Sequence, residues 1–256
     1  MIARFFTKRF ASGAKKEQKD IETEFKLPIT TDIHSHILPG LDDGAANPDK
    51  SLEMLKRMAE LGYERMVATP HVMVDGYKNS TSHILSSIER LRDSAAAFSI
   101  GIELDTAAEY YMDEELSRRL ESGDILTIGA EYLLFETSFF CEPLNLHEMI
   151  YEITMRGYRP LMAHPERYRY INDIQDFYGR LREAGVSFQV NINSFGGYYG
   201  SDAKEKAYYL SENGMVDFLG SDIHGTGQID YMSDILSKGV LESVISKNKI
   251  LNDTLF

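Results

Sequence analysis

Apolar residues along this chain fall into two alternating kinds of run. Short strand-like runs occupy Thr30–His34, Arg65–Thr69, Gly101–Tyr110, Tyr132–Thr137, Arg159–Ala163, Val186–Ile192 and Val216–Gly220, the first by alternation and the later ones, such as Tyr132–Thr137, by dense apolar content. Such runs predict strands buried on both faces. Between them apolar positions recur at helical spacing, as in Leu52, Leu55, Met58 and Ala59, or Ile84, Ile88 and Leu91. The first helix has clear punctuation. Asn47 can cap it, Pro48 suits the first helical position, and Gly62 ends it. Further helices are predicted over 80–98, 113–121, 144–156, 174–184 and 202–213, with a helical C-terminal part containing Ile235, Leu236, Val240, Leu241, Val244 and Ile245. Strands alternating with helices predict parallel βαβ units, in a closed barrel or an open doubly wound sheet. No glycine-rich dinucleotide or Walker-type phosphate motif follows any of the strands.

At 256 residues the chain has the length of an α/β barrel folded as one domain. Charge divides it. The net charge is −13, but residues 1–27 hold seven Lys/Arg against four Asp/Glu, which leaves 20 against 36, or −16, for the rest. We therefore read 1–27 as a basic appendage and 28–256 as a single domain. The appendage carries Ile2, Phe5, Phe6 and Phe10 at roughly helical spacing among Arg4, Lys8 and Arg9. It is a tail docked loosely on its own domain or mobile, or a short amphipathic helix touching an anionic membrane surface. An acidic body argues against a nucleic-acid partner. Cys141 is the one cysteine, so no disulfide can form within the chain. No apolar run approaches the roughly 18 residues of a membrane span. The expected location is cytoplasmic.

The candidate chemistry collects at the C-terminal ends of the predicted strands. His34 and His36 end the first, and residues two apart on an extended chain face the same way. His71 follows the second strand, Glu109 ends the third, Glu136 the fourth and His164 the fifth, while Asp222 and His224 follow the seventh. The loop after the first strand adds Asp42 and Asp43. His83 and His147 lie on predicted helices and look incidental. In a (β/α) barrel the strand ends share one rim. Imidazoles and carboxylates gathered there suit divalent cations, and burying them without cations would cost several kcal/mol per unpaired charge. A cysteine-phosphatase route lacks the C-x5-R signature, because Cys141 is followed six positions on by His147. A serine triad lacks G-x-S-x-G.

The ordered segments DIHSHILPGLDDG, ATPH, AAEYY, FETS, AHPERY and GSDIHG resemble the PHP (polymerase and histidinol phosphatase) superfamily. More closely, they are similar to its bacterial metal-dependent protein-tyrosine phosphatases of CpsB/YwqE type, which regulate capsule and exopolysaccharide synthesis. The resemblance runs from about Thr31 into the C-terminal region. It implies a distorted (β/α)7 TIM-like barrel with its active site at the C-terminal strand ends. It also implies three divalent metal ions, manganese first, with iron, zinc or magnesium as alternatives. One metal would use His34, His36, Glu109 and Asp222. A second would use Glu109, Glu136 and His164, with Glu109 bridging. The third would use Asp43, His71 and His224, although the sequence leaves Asp42 and Asp43 interchangeable. Arg167 matches the family's phosphate-binding arginine. Relatives often carry basic residues just after the second-strand histidine, and here Lys78 is the residue able to offer a second substrate contact. The implied activity is hydrolysis of protein phosphotyrosine by metal-generated hydroxide, on the tyrosine-rich tail of a bacterial tyrosine kinase. The alternatives are a small-molecule phosphatase of the histidinol-phosphate kind and a non-catalytic metal-binding module.

Overall fold

The structure is a computed structural model, and it describes residues 27–256. The expectations for residues 1–26 of the N-terminal appendage therefore lie outside the described residues, while Leu27, the last residue assigned to it, is buried in the core of the domain. The chain runs β1 (Thr31–Ser35), α1 (Pro48–Leu61), β2 (Arg65–Ala68), β3 (His71–Val72), α2 (Thr81–Ala97), β4 (Glu103–Thr106) and β5 (Glu109–Tyr111). It continues through α3 (Glu114–Ser122), β6 (Tyr132–Glu136), α4 (Leu146–Met155), β7 (Arg159–Ala163), α5 (Ile174–Glu183), β8 (Ser187–Asn191) and α6 (Ile192–Gly196). The last elements are α7 (Ser201–Glu212), β9 (Phe218–Gly220), α8 (Thr226–Leu236) and α9 (Val240–Lys247).

Every pairing between these strands is parallel, in two hydrogen-bonded groups ordered β1-β2-β4 and β3-β5-β6-β7-β8-β9. The groups are one wall. Strand β2 passes into β3 across Thr69-Pro70, and β4 passes into β5 across Ala107-Ala108. Pro70 cannot donate to a ladder, yet its carbonyl still accepts from Glu109 N at 3.1 Å, and Ala68 O accepts from Ala107 N at 2.9 Å. The wall meets itself beyond β9. There Asp222 N donates to His34 O at 2.9 Å and His36 N donates to Ile223 O at 3.0 Å. Counting β2/β3 and β4/β5 as one interrupted strand each, this matches the seven strands read from the sequence and the distorted (β/α)7 barrel that the family resemblance implies, rather than an open doubly wound sheet.

Side chains complete the seam between β9 and β1. Asp32 accepts from Ser221 N at 2.9 Å and from Ser221 Oγ at 2.5 Å. Burial pushes the Asp32 carboxyl up to about 6, against the opposing Ser221 hydrogen bonds. Lower down, Asn252 Oδ1 accepts from Leu219 N at 3.0 Å, and its Nδ2 donates to Thr31 O at 2.8 Å. Ile33, Val67, Ala107, Leu134, Leu161, Ala163 and Phe218 belong to one buried cluster, against which Leu251 and Leu255 pack. A larger apolar layer joins the outer faces of the strands to the helices.

Helix α1 is capped as expected. Asn47 accepts from Lys50 N at 3.1 Å, and Gly62 takes φ 102°, a left-handed conformation suited to glycine. Three details differ from the sequence expectation. The third strand is broken at Ala107-Ala108. The short α6 follows β8 without a loop, because Ile192 and Phe195 continue the apolar run that marks the strand. The C-terminal helical stretch divides into α8 and α9 at Gly239, where φ is 68°.

Candidate metal centre

The strand ends bring a set of buried imidazoles and carboxylates together. His34 Nε2 and His36 Nε2 lie 3.3 Å apart, and they lie 3.2 and 3.4 Å from Glu109 Oε2. Asp222 Oδ1 sits 3.6 Å from the first and 3.3 Å from the second. Glu109 reaches further with its other oxygen, since Oε1 is 3.0 Å from His164 Nε2. His71 Nδ1 lies 3.1 Å from both Glu109 Oε2 and Glu136 Oε1. Its Nε2 faces Asp43 Oδ1 at 3.5 Å, and that oxygen also lies 3.4 Å from His224 Nε2. Four overlapping groups result: His36, Asp43, His71 and His224; His34, His36 and Asp222; His34, Glu109 and His164; and His71, Glu109 and Glu136.

Local backbone irregularities aim these side chains. Ile33 packs in the buried cluster with Leu134 and Leu161, so strict alternation would turn His34 to the opposite face. The register with β2 breaks between Asp32 and Ser35, and a bulge of this kind can re-aim a side chain. His164 and Asp222 have φ of 32° and 49°, two of the three non-glycine residues with positive φ among those described. Left-handed backbone at bulky residues is strained and collects at functional sites.

A second ring of groups fixes the first. His36 Nδ1 faces Asp42 Oδ2 at 2.8 Å, and Asp42 also accepts from His71 N at 3.2 Å and from Gly44 N at 3.0 Å. Asp42 is thereby engaged away from the cup, while half-exposed Asp43 points into it. His34 Nδ1 faces Gln189 Oε1 at 2.7 Å. Gln189 Nε2 donates to Asn191 Oδ1 at 2.8 Å, and Asn191 Nδ2 donates to Asp222 Oδ2 at 2.7 Å. Outer partners of this kind leave each Nε2 turned inward as a ligand atom. In the sequence Asp42 stands only as a rival ligand, and nothing in the pattern signals Gln189 or Asn191. Both sit within a strand whose apolar neighbours hide them.

The donor set fits divalent cations. Metal–ligand bonds of about 2.1 Å place neighbouring ligand atoms roughly 3.0–3.4 Å apart, close to most separations seen here. Glu109 Oε2 and His71 Nδ1 are buried and make no hydrogen bond of acceptable geometry. Unsatisfied buried polar atoms are costly and call for a partner. The charge pattern agrees. Burial works to raise Glu109 and Asp222, but the neighbouring imidazoles, His34 first, hold both carboxyls well below their ordinary value. Burial works to lower His71, and Glu109 followed by Glu136 raises it to about 9. The carboxylates demand positive charge, which protons or metal ions can supply.

A cavity of about 390 Å³ opens over the cluster, lined by Asp43, His71, Glu136, His164, Asp222 and His224 together with Arg167 and several aromatic residues. Arg167 donates from Nη1 to Asp222 Oδ2 at 2.6 Å, and its guanidinium lies 4.6 Å from the Phe139 ring centre and 4.2 Å from that of Tyr199. Lys78 is exposed and does not line this cavity; Met73 and Tyr77 are the residues after His71 that do, and Tyr77 stacks on His71 with centroids 5.5 Å apart. The incidental histidines stand apart: His83 lies in the first turn of α2, and His147, in α4, bonds Arg180 at 2.9 Å.

Fold and site together define a parallel α/β barrel with a candidate cation-binding cup at the C-terminal strand ends. The chain belongs to the CpsB/CapC family of capsular polysaccharide synthesis, whose profile matches residues 30–237. It is 30% identical over 194 residues to the tyrosine-protein phosphatase YwqE of Bacillus subtilis, covering 75% of this chain and 76% of that protein. It is 27% identical over 200 residues to the tyrosine-protein phosphatase CpsB of Streptococcus pneumoniae, covering 75% and 82%. Among solved structures, one from the work on YwqE and CpsB, described there as unique metal-dependent tyrosine phosphatases, superposes with a TM-score of 0.76. That match is at 27% identity and covers 83% of this chain and 86% of the other.

Proposed function

We propose that this chain is a metal-dependent phosphomonoesterase that hydrolyses protein phosphotyrosine, with a bacterial tyrosine kinase of capsule or exopolysaccharide synthesis as its substrate. The observation that carries the reading is the gathering of nine candidate ligands in one cluster, six of which line a single cavity together with the Arg167 guanidinium. Family membership supports the choice of phosphotyrosine over histidinol phosphate, and the complete ligand set speaks against a non-catalytic module. We assign His34, His36, Glu109 and Asp222 to one divalent ion and Glu109, Glu136 and His164 to a second. The third falls to Asp43, His71 and His224, with manganese as the first expectation. His36 also borders this third group, and the proximity of His71 Nδ1 to Glu136 ties it to the second. We take 28–256 as one phosphatase domain acting in the cytoplasm. Any membrane contact would rest on residues 1–27.

When bound, divalent cations supply activation of water and neutralisation of charge on the phosphoryl group. The chain's own groups do the rest. Arg167, held between Phe139 and Tyr199 at the cavity wall, presents a planar fork suited to two phosphoryl oxygens. In the present arrangement that fork leans on Asp222, and an arriving phosphate would share it. Phe139 and Phe140 line the mouth with Tyr111, offering ring faces to a phenyl group and excluding water. A tyrosine phenol, with a pKa near 10, departs without a strong general acid.

The test is phosphate release from a phosphotyrosine peptide and from histidinol phosphate, each with added Mn2+ and with chelator. Manganese-dependent release that favours the peptide is expected; no metal-dependent release from either substrate overturns the enzyme reading. Arg167→Ala should cut kcat/KM at least a hundredfold, or about 2.7 kcal/mol of transition-state stabilisation, with the circular dichroism spectrum retained. Wild-type turnover in that variant would remove Arg167 from the site.

A further inference from the structure

A second cavity, of about 310 Å³, adjoins the metal cup and shares Phe139, Phe140 and Arg167 with it. Its remaining lining is Arg169, Tyr198 and Tyr199. The composition of this groove is unusual for the molecule. The domain carries sixteen more acidic than basic side chains, yet no carboxylate lines the groove and two arginines do. Arg169 is exposed, and among the described residues no carboxylate lies within ion-pair distance of it; its guanidinium rests 5.5 Å from the Phe140 ring centre. Phe140 and Tyr198 are 70% and 46% exposed, large fractions for aromatic side chains at the mouth of a site. Tyr198 is braced edge-on by Tyr199 and Tyr231, with centroids 5.0 and 5.1 Å away.

We propose that this groove is a second substrate subsite, and that it takes another phosphotyrosine carried by the same peptide close beside the scissile one. The inference rests on the phosphotyrosine reading of the cup. Rings prefer offset or edge-on contact with other rings, which Phe140 and Tyr198 offer to an incoming phenyl. A guanidinium forks onto phosphate oxygens with charge-assisted hydrogen bonds, and Arg169 is available to do so. An aliphatic carboxylate would satisfy Arg169 but leave the rings uncovered, and an unphosphorylated tyrosine would cover the rings but leave Arg169 unmet. On an otherwise acidic body, the groove is also the path along which a doubly phosphorylated peptide is least repelled.

The experiment compares manganese-loaded enzyme on peptides that differ at one position beside the scissile phosphotyrosine: phosphotyrosine, tyrosine, glutamate or alanine. The doubly phosphorylated peptide should have a KM at least fivefold below that of the alanine peptide at similar kcat, with tyrosine and glutamate between them. Arg169→Ala should erase the advantage of phosphotyrosine over tyrosine, and Tyr198→Ala its advantage over glutamate, both through KM. Equal KM values across the peptides overturn the subsite. A glutamate peptide as good as the doubly phosphorylated one overturns the aromatic part. A small aryl phosphate run in parallel separates the two ideas: if it and all peptides resist metal-dependent hydrolysis, the phosphatase reading has failed, whereas turnover without neighbour preference sinks the subsite alone.

Discussion

At the scale of single residues, the two histidines of the first strand are oriented by different partners, and the difference has consequences. His34 Nδ1 faces the neutral amide of Gln189, whereas His36 Nδ1 faces the Asp42 carboxylate. A carboxylate behind an imidazole raises its basicity as a ligand and locks its tautomer. Asp42 carries a further load, accepting from the backbones of Gly44 and His71. It therefore links His36 to the loop that carries Asp43 and to the start of β3. Asp42→Asn can present only one carbonyl oxygen to these donors. We expect metal affinity to fall about tenfold to a hundredfold, read as a higher Mn2+ concentration at half-maximal turnover, with activity recovered at saturating metal. Asp43→Asn should lose turnover that added metal does not restore. If Asp42→Asn matched wild type while Asp43→Asn were rescued by metal, the two roles would have to be exchanged. No sequence pattern separates adjacent aspartates; the distinction arises from where the loop carries each side chain.

Among the elements, the β1–α1 loop is the most tightly constrained part of the cup. A methyl group built at Gly44 would meet His36 O at 2.1 Å and His36 Cβ at 2.4 Å. No side chain can enter that space without moving backbone. Gly44→Ala should displace the loop with Asp42 and Asp43, and turnover should drop by at least tenfold at moderate metal concentration. Gly101→Ala, where an added methyl meets nothing within 4 Å, is the control and should keep its activity. Equal activity in the two variants would show that the loop yields freely. Element positions were legible in the sequence where the pattern was local. The Asn47-Pro48 start and Gly62 stop of α1, and the strand-end placement of His71, Glu136 and His164, follow from neighbouring residues. The break at Ala107-Ala108, the register shift in β1 and the left-handed backbone at His164 and Asp222 were not legible. They arise from closing the wall into a barrel and steering side chains inward, and closure is a long-range constraint that no short window of sequence contains.

For the molecule as a whole, the barrel divides its work. The end away from the cup is apolar, filled by Ile33, Val67, Leu134 and Phe218 and covered by Leu251 and Leu255. The cup end concentrates buried charge, so its stability depends on what ions it holds. Tyrosine adds a second, pH-dependent feature. The chain has 15 tyrosines and no tryptophan, and several of these phenols are fully enclosed. Burial pushes Tyr63, Tyr168 and Tyr178 well above the usual phenol range, and pushes Tyr110 up to about 12. In the unfolded chain each would ionise near its ordinary value of about 10. Below that pH both states keep the proton and the phenols make no difference to stability. Above it the unfolded chain releases protons that the folded chain retains, so stability falls with rising pH. Each such tyrosine contributes a slope of about 1.4 kcal/mol per pH unit until the folded value is passed. Four together would remove about 5.5 kcal/mol per unit, comparable within two units to the whole stability of a typical domain. The protein should therefore unfold cooperatively between about pH 10 and about 12, with phenolate absorbance of the enclosed set rising in the same step as ellipticity is lost. Phenols that titrate one by one while ellipticity persists to the end of that range would show that these rings are reachable by water in the folded state.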